Sequence, residues 1–323
     1  AWDAGGLYQV GSFPSWKRWA EWNGRYRDDM RRFLKGDDFL AQTAAARITG
    51  SPDLYDPAYR GGNASINFLT CHDGFTLYDL YSYNQKHNEA NGWGNTDGAD
   101  DNNSWNCGVE GETDDPAILA LRKRLMKNAC AILLCSRGTP MFLSGDEFAD
   151  TRYGNNNPYC IDSELSWVNW RTSNDSMHIL EWTKKLIALR KKYGILHSRE
   201  SLSLSDSKSL GYPDMSYHGG NAWYADMENY CRQIGIMYCN SYSDDKSRSL
   251  IYIAYNMHWE KHNLALPKVE GSSFKIIAAT NDGQDKAFID KEARSVCVPE
   301  RSIAILVAEY QEKKKARIIK KRY

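Results

Sequence analysis

Apolar positions along this chain follow two rhythms. In the first two-thirds, Tyr26 to Leu34, Phe39 to Ile48, Ala117 to Cys135 and Met177 to Tyr193 repeat at helical spacing. Between them, Ile66 to Thr70 and Met141 to Ser144 read as short buried strands. Asp114-Asp115-Pro116 suits a helix start, because acids face the N-terminal dipole and proline fits the first turn; Gly194 closes the last helix. Strand, polar loop and helix in repetition predict a parallel sheet with helices packed outside it. Ligands in such folds bind at loops leaving the carboxyl ends of the strands, where His72-Asp73 and Asp146-Glu147 both fall.

After about residue 196 the rhythm shortens to two. Ile234 to Tyr238, Leu250 to Asn256, Phe274 to Ala279 and Ile303 to Ala308 read as strands separated by turn signals such as Ser243-Asp244-Asp245 and Asn281-Asp282-Gly283, which predicts a small antiparallel sandwich. The fold class expected is therefore α/β plus all-β, divided into residues 1–196, 197–310 and a basic tail, 311–323. The tail reads as a solvated helix or frayed end, with electrostatic docking as the alternative.

Composition narrows the ligand. With 323 residues, 42% hydrophobic and 25% charged, the chain is long enough for about two domains and is not of a disordered composition. The 41 basic and 41 acidic residues cancel, but residues 309–323 carry seven Lys/Arg and two Glu, so the tail is +5 and the body −5. A slightly acidic body argues against a nucleic-acid partner, and no apolar run is long enough to span a membrane. Eight cysteines without C-x-x-C spacing read as buried thiols, with disulfides expected only of a secreted protein. No signal segment opens the chain, which points to the cytoplasm; because residue 1 is Ala rather than Met, an address on an earlier portion stays open. Eleven Trp and twenty Tyr offer faces that either bury or stack on sugar rings and bases.

On spacing alone, Asp73 has two readings: a loop carboxylate capping the segment from Gly74 onward, or a catalytic group beside a histidine able to bind a hydroxyl. The loop from Asn84 to Gly111 favours the second. It is rich in Asn, Asp and Gly and carries Trp93 and Trp105, the side chains that grip vicinal hydroxyls and stack on sugars.

The strings Asn67-Phe68-Leu69-Thr70-Cys71-His72-Asp73-Gly74-Phe75-Thr76-Leu77, Tyr83 to Gly92, Ser104-Trp105-Asn106-Cys107-Gly108 and Gly154-Asn155-Asn156-Asn157-Pro158-Tyr159-Cys160 closely resemble the isoamylase and glycogen-debranching branch of the α-amylase superfamily. The resemblance runs from Trp2 to about Ala308 and implies the C-terminal part, about strands six to eight, of a (β/α)8 barrel followed by a β-sandwich. It implies a retaining glycosidase acting on α-1,6 branch linkages of an α-glucan such as glycogen, amylopectin or a limit dextrin. Asp73 matches the carboxylate that stabilises the transition state, and His72 the histidine that binds the sugar under attack. Further substrate contacts are expected from Trp93, Trp105, Asn106, Asn157, Tyr159 and Asp162, and from Trp2 and Asp3, which resemble the end of the general-acid segment. No cofactor and no resident metal are implied, since Asp97 to Asn103 resembles a calcium loop only in composition and reads as a solvated, glucan-facing loop.

The nucleophile Asp and general acid Glu have no counterpart in these residues, so this chain alone is expected to be inactive. Its expected partner is a missing N-terminal part, without which half a parallel barrel exposes strand edges. Non-catalytic glucan binding is the alternative. Ile161 and Ser163 stand where the family usually has Gln and Asn, and Trp93 where an acid is common. Glu147 is expected to support the barrel end; the Trp16, Trp19 and Trp22 cluster reads equally as core or as a stacking face.

Overall fold

The computed structural model describes residues 8–12, 18–60, 63–170, 173–245, 247–281, 283 and 285–311. The helical half runs β1 (Glu21–Trp22), α1 (Gly24–Lys35), α2 (Ala41–Ile48), α3 (Pro57–Arg60), β2 (Ser65–Asn67), α4 (Leu77–Leu80), α5 (Pro116–Cys135), β3 (Thr139–Pro140) and α6 (Asn174–Lys192). β1, β2 and β3 form one parallel sheet in that order, with Trp22 opposite Ile66 and Ile66 opposite Thr139.

Local chemistry sets the helix limits. Asn23 Oδ1 accepts from Tyr26 N at 2.9 Å, α1 buries Tyr26, Met30, Phe33 and Leu34 on one stripe, and Gly36 ends it at φ 88°. The anticipated Asp-Pro start of α5 holds, with Asp115 Oδ1 accepting from Ala117 N at 2.8 Å and Pro116 in the first turn. The strands differ more from expectation. Pairing covers Ser65–Asn67 rather than all of Ile66 to Thr70, and Thr139–Pro140 rather than Met141 to Ser144, because the chain peels away from the ladder as soon as it leaves the sheet.

The second half supplies β4 (Met215–His218), β5 (Gln233–Cys239), β6 (Ser249–Asn256), β7 (His262–Ala265), β8 (Lys275–Ala279), β9 (Phe288–Asp290), β10 (Ser295–Val298) and β11 (Ser302–Glu309). They form a five-stranded antiparallel sheet, β4-β5-β6-β11-β8, and a three-stranded one, β7-β10-β9. Strand parity explains the layers. Ile234, Ile236, Tyr238, Ile251, Ile253, Tyr255, Ile303 and Ile305 face the helices and join their core. Met237, Leu250, Tyr252, Ala254, Ala304 and Leu306 face the small sheet and meet Leu264, Val296 and Val298. The five-stranded sheet is therefore a middle layer, apolar on both faces, and the helical half rests directly on it.

Seven of the cysteines are buried, Cys160 is exposed, and all are free thiols. Among the described residues no helix is long and apolar enough to cross a membrane.

Candidate active site

Beyond β2 the chain turns through Cys71-His72-Asp73-Gly74. Gly74 adopts φ 109°, open to glycine and costly for other residues, and its N–H donates to Asn156 O at 2.7 Å, pinning the turn to the loop after β3. Cys71 Sγ lies 2.6 Å from Asp73 Oδ1 and donates its proton there; burial and that hydrogen bond push the thiol up to about 12. His72 projects outward with Nδ1 3.9 Å from Asp73 Oδ1, its ring edge-on to Trp22 at 5.8 Å.

Asp73 faces a cleft of about 270 Å³. One wall is Arg27, Asp28 and Arg31 of α1; another is Gly98, Ala99, Asp101 and Asn102 of the long loop; the third is Asn156 and Asn157. Arg31 braces the floor, donating from Nε to Leu69 O at 2.7 Å and from Nη1 to Asn102 O at 2.9 Å, and its burial pulls the guanidinium down to about 10. Amides then knit the two loops together. Asn88 Nδ2 donates to Asn156 Oδ1 (2.8 Å), Asn156 Nδ2 to Ala99 O (2.8 Å), and Asn91 and Asn157 both to Asp97 Oδ2 (2.7 and 2.9 Å). Those hydrogen bonds, Asn91 first, hold the Asp97 carboxyl below its ordinary range.

Two buried acids anchor the loops from beneath. Asp146 accepts from Thr70 Oγ1 and from Leu77 N, and burial raises its pKa to about 7. Asp79 accepts from Thr151 Oγ1 at 2.5 Å and Arg152 N at 2.9 Å, and burial raises it to about 6. Glu147 reaches only its own turn, accepting from Gly145 N at 3.0 Å, so the residue tying the β3 loop to the β2 loop is its neighbour Asp146.

Of the residues singled out from sequence, Asp73 and Asn157 share the cleft and His72 stands beside Asp73. Trp93 is 62% exposed on the long loop, away from the cleft walls. Trp105 is half-buried against the core, outside the lining of the Asp73 cleft, with the Arg301 guanidinium 4.6 Å from its ring centroid, so one face of the indole is taken from the sandwich side. Asn106 spends its amide inside its own loop, on Glu110 Oε2 (3.0 Å) and Gly108 N (2.9 Å). Asp162 accepts from Trp167 Nε1 at 2.9 Å, Tyr159 is 78% exposed, and neither lines the cleft. Trp2, Asp3, Trp16 and the tail beyond Gln311 lie outside the described residues. Trp22 is half-buried between Phe68 and His72, whereas Trp19 is exposed.

Sequence reasoning missed Arg27, Asp28 and Arg31; Asp101 and Asn102 fell within the loop read as glucan-facing and Asn156 within a matching motif, without being singled out. A signal existed for Arg27, Asp28 and Arg31: the two arginines lie four apart in the first two turns of a helix that leaves a parallel strand.

No family model matches the chain. A glycogen operon protein GlgX homolog from Mycobacterium tuberculosis is 54% identical over 199 residues, covering 61% of this chain and 27% of that protein. Isoamylase 1, chloroplastic, from Oryza sativa subsp. japonica is 38% identical over 305 residues, covering 94% of this chain and 36% of its own length. A pullulanase from Paenibacillus barengoltzii, solved in complex with maltohexaose and α-cyclodextrin, aligns with a TM-score of 0.60 at 19% identity, over 89% of this chain and 38% of that one. The last likeness is one of fold. The chain spans about a quarter to a third of the length of these curated relatives.

Proposed function

Because this chain is a homologue of the isoamylases and glycogen-debranching proteins of the α-amylase superfamily, we propose that the protein it represents hydrolyses α-1,6 branch linkages in glycogen or a related α-glucan, by a retaining mechanism. The observation that carries this is the Asp73 cleft. A carboxylate projects from the carboxyl end of a parallel strand into a space walled by amides and guanidinium groups, and His72 stands at its edge.

Retaining hydrolysis passes through an oxocarbenium-like sugar. Asp73 has the charge to oppose that developing positive centre, and Cys71 together with the Gly74–Asn156 bond fixes where it stands. Asn157 and His72 are the sugar-hydroxyl partners nearest it, and the maltohexaose-bound pullulanase of like fold supports an α-glucan as occupant. The three parallel strands are read as a portion of a (β/α)8 barrel, with the nucleophile and general acid supplied from outside the matched motifs. In protein carrying that complete set, Asp73→Asn should lower kcat by several orders of magnitude with glucan affinity largely retained; a near-wild-type rate would sink the assignment.

The second reading is glucan binding without turnover by this chain, supported by the match of Asp73 alone among the three family carboxylates. Incubation with pullulan or a β-limit dextrin separates the two. Release of reducing ends above a blank excludes the second reading, and retention on a glycogen affinity gel without such release favours it.

A further inference from the structure

The turn that presents Asp73 holds three donors of different softness. Cys71 Sγ, a His72 ring nitrogen and an Asp73 carboxylate oxygen all lie within 4.8 Å of one another. We propose that Cys71, His72 and Asp73 form a zinc-class metal site whose occupation withdraws Asp73 from the sugar. The site stands on geometry alone; its inhibitory consequence rests on the glucan reading above.

Tetrahedral zinc takes sulfur at about 2.3 Å and nitrogen or oxygen at about 2.0–2.2 Å, which sets its donors roughly 3.3–3.7 Å apart. The Sγ to Oδ1 gap of 2.6 Å must open and the Nδ1 to Oδ1 gap of 3.9 Å must close slightly. Rotation about the side-chain bonds of His72 and Asp73, 70% and 49% exposed, accommodates both changes. Cys71 lies beneath, buried, with its sulfur already turned to the carboxylate, so an ion arriving from solvent meets His72 and Asp73 first and reaches the sulfur as the Asp73 carboxylate turns aside. Thiolate beside imidazole and carboxylate favours Zn²⁺ over the harder Mg²⁺ and Ca²⁺. Two guanidinium groups, Arg27 and Arg31, share the cleft wall; Arg27 is paired with Asp28 at 2.7 Å and Arg31 is held by the carbonyls of Leu69 and Asn102, so each already has acceptors against its charge. On binding, hydrated Zn²⁺ sheds waters, the Cys71 proton passes to solvent, and a sulfur–zinc bond forms with no change of oxidation state; a water keeps the fourth position.

A second donor group in the chain, His258, Glu260 and His262, is as compact but less suited. His258 Nδ1 already accepts the Glu260 N–H at 3.0 Å, and burial first, then His262, Arg232 and Arg301, disfavours positive charge on that imidazole. It serves as the internal control.

The test is a titration of the full chain with Co²⁺, a spectroscopic stand-in, followed by Zn²⁺ competition. A near-ultraviolet thiolate-to-cobalt band should appear at one ion per chain and vanish when Zn²⁺ is added. Cys71→Ser should abolish that band, His72→Gln should weaken affinity by about tenfold or more, and His262→Gln should change neither. Absence of the band, or its persistence in Cys71→Ser, overturns the proposal. Should Cys71→Ser misfold by circular dichroism, His72→Gln decides, since that side chain is 70% exposed and touches the fold only edge-on at Trp22: unchanged affinity overturns the site. Zn²⁺ should also reduce maltohexaose binding in the wild-type chain. A chain that shows the Cys71-dependent band yet binds no maltohexaose at any metal level keeps the site and overturns its inhibitory consequence for this chain, while the hydrolysis reading stands or falls by Asp73→Asn in protein carrying the complete carboxylate set.

Discussion

The two sheets that carry this molecule are built on opposite principles. In the parallel sheet, β1 and β3 have two residues and β2 three, whereas β6 and β11 of the antiparallel sheet have eight each. The antiparallel sheet is apolar on both faces and holds by burial. The parallel sheet holds by polar ties from side chains to backbone: Asn67 Nδ2 to Arg137 O (2.7 Å), Arg190 to the carbonyls of Leu134, Ser136 and Gly138 (2.6–2.8 Å), and Arg137 to that of Ile195 (2.7 Å). Chemistry sits where ladders are short and polar groups converge, and stability sits where they are long. Perturbations should therefore divide by type.

The largest effect is expected in the middle layer. Ile253 is fully buried between Ile236 and Ile305 on adjacent strands, and Ile253→Ala should cost about 4 kcal/mol in urea unfolding, from lost transfer energy plus the cavity left behind. A loss under about 1 kcal/mol would mean that the sheet is not the stabilising layer.

Proton linkage should separate the regions next. Asp79 and Asp146, near 6 and 7 in the fold against 3.8 when unfolded, hold protons that the unfolded chain has released between about pH 4 and 7. Their stabilisation is complete at the acid end of that window and lost as pH rises through it. His218 of the sandwich behaves oppositely: burial lowers it from 6.5 to about 4, so between those values the unfolded chain binds a proton that the fold refuses, and stability falls with acid. The shifts correspond to about 3 kcal/mol each for Asp79 and His218 and about 4 kcal/mol for Asp146. Asp146→Asn should flatten the loss toward neutral pH and His218→Gln the loss toward acid, in urea stability measured from pH 4 to 8; identical curves for the two variants would break the comparison.

A polar truncation on the site side should be smaller and local. Asn156→Ala removes an amide that accepts from Asn88 and donates to Ala99 O, a loss of about 2 kcal/mol. Hydrogen exchange should quicken across residues 86–103 and stay unchanged in β6. Uniform acceleration would show the loop network to be part of the global core.

What was legible follows the same divide. The long helices α1, α2, α5 and α6 and the four longest apolar runs of the sandwich declared themselves because burial imposes periodicity, as in Tyr26-Met30-Phe33 or Ile251-Ile253-Tyr255, whereas the four-residue α3 and α4 did not. β4, β7, β9 and β10 did not, since three or four residues such as His262–Ala265 are too few to display a period. Asp73 and His72 were legible as a motif. Arg31 was hidden, and Asn102 and Asn156 were seen only as members of a loop and a motif, because a cleft wall drawn from three distant segments leaves no local pattern. The partner of Trp105 was hidden for a related reason: its loop composition points to sugar binding, while one face of its ring meets a residue nearly two hundred positions away.

That residue supplies the smallest test, at the seam where the two regions meet. Arg301 places its guanidinium over Trp105 and donates from Nη1 to Lys35 O at 2.8 Å, so it bridges the long loop and the end of α1 from the sandwich side. Arg301→Met keeps the apolar stem but loses the cation over the ring and the tie to α1, which should cost about 1 kcal/mol. Trp105→Phe keeps an aromatic face for the guanidinium and should cost less. Neither change should alter glucan retention on an affinity gel, because both act away from the Asp73 cleft. If Trp105→Phe weakened retention while Arg301→Met did not, the indole would be meeting sugar after all, and the boundary between the stabilising layer and the chemical one would have to move to include it.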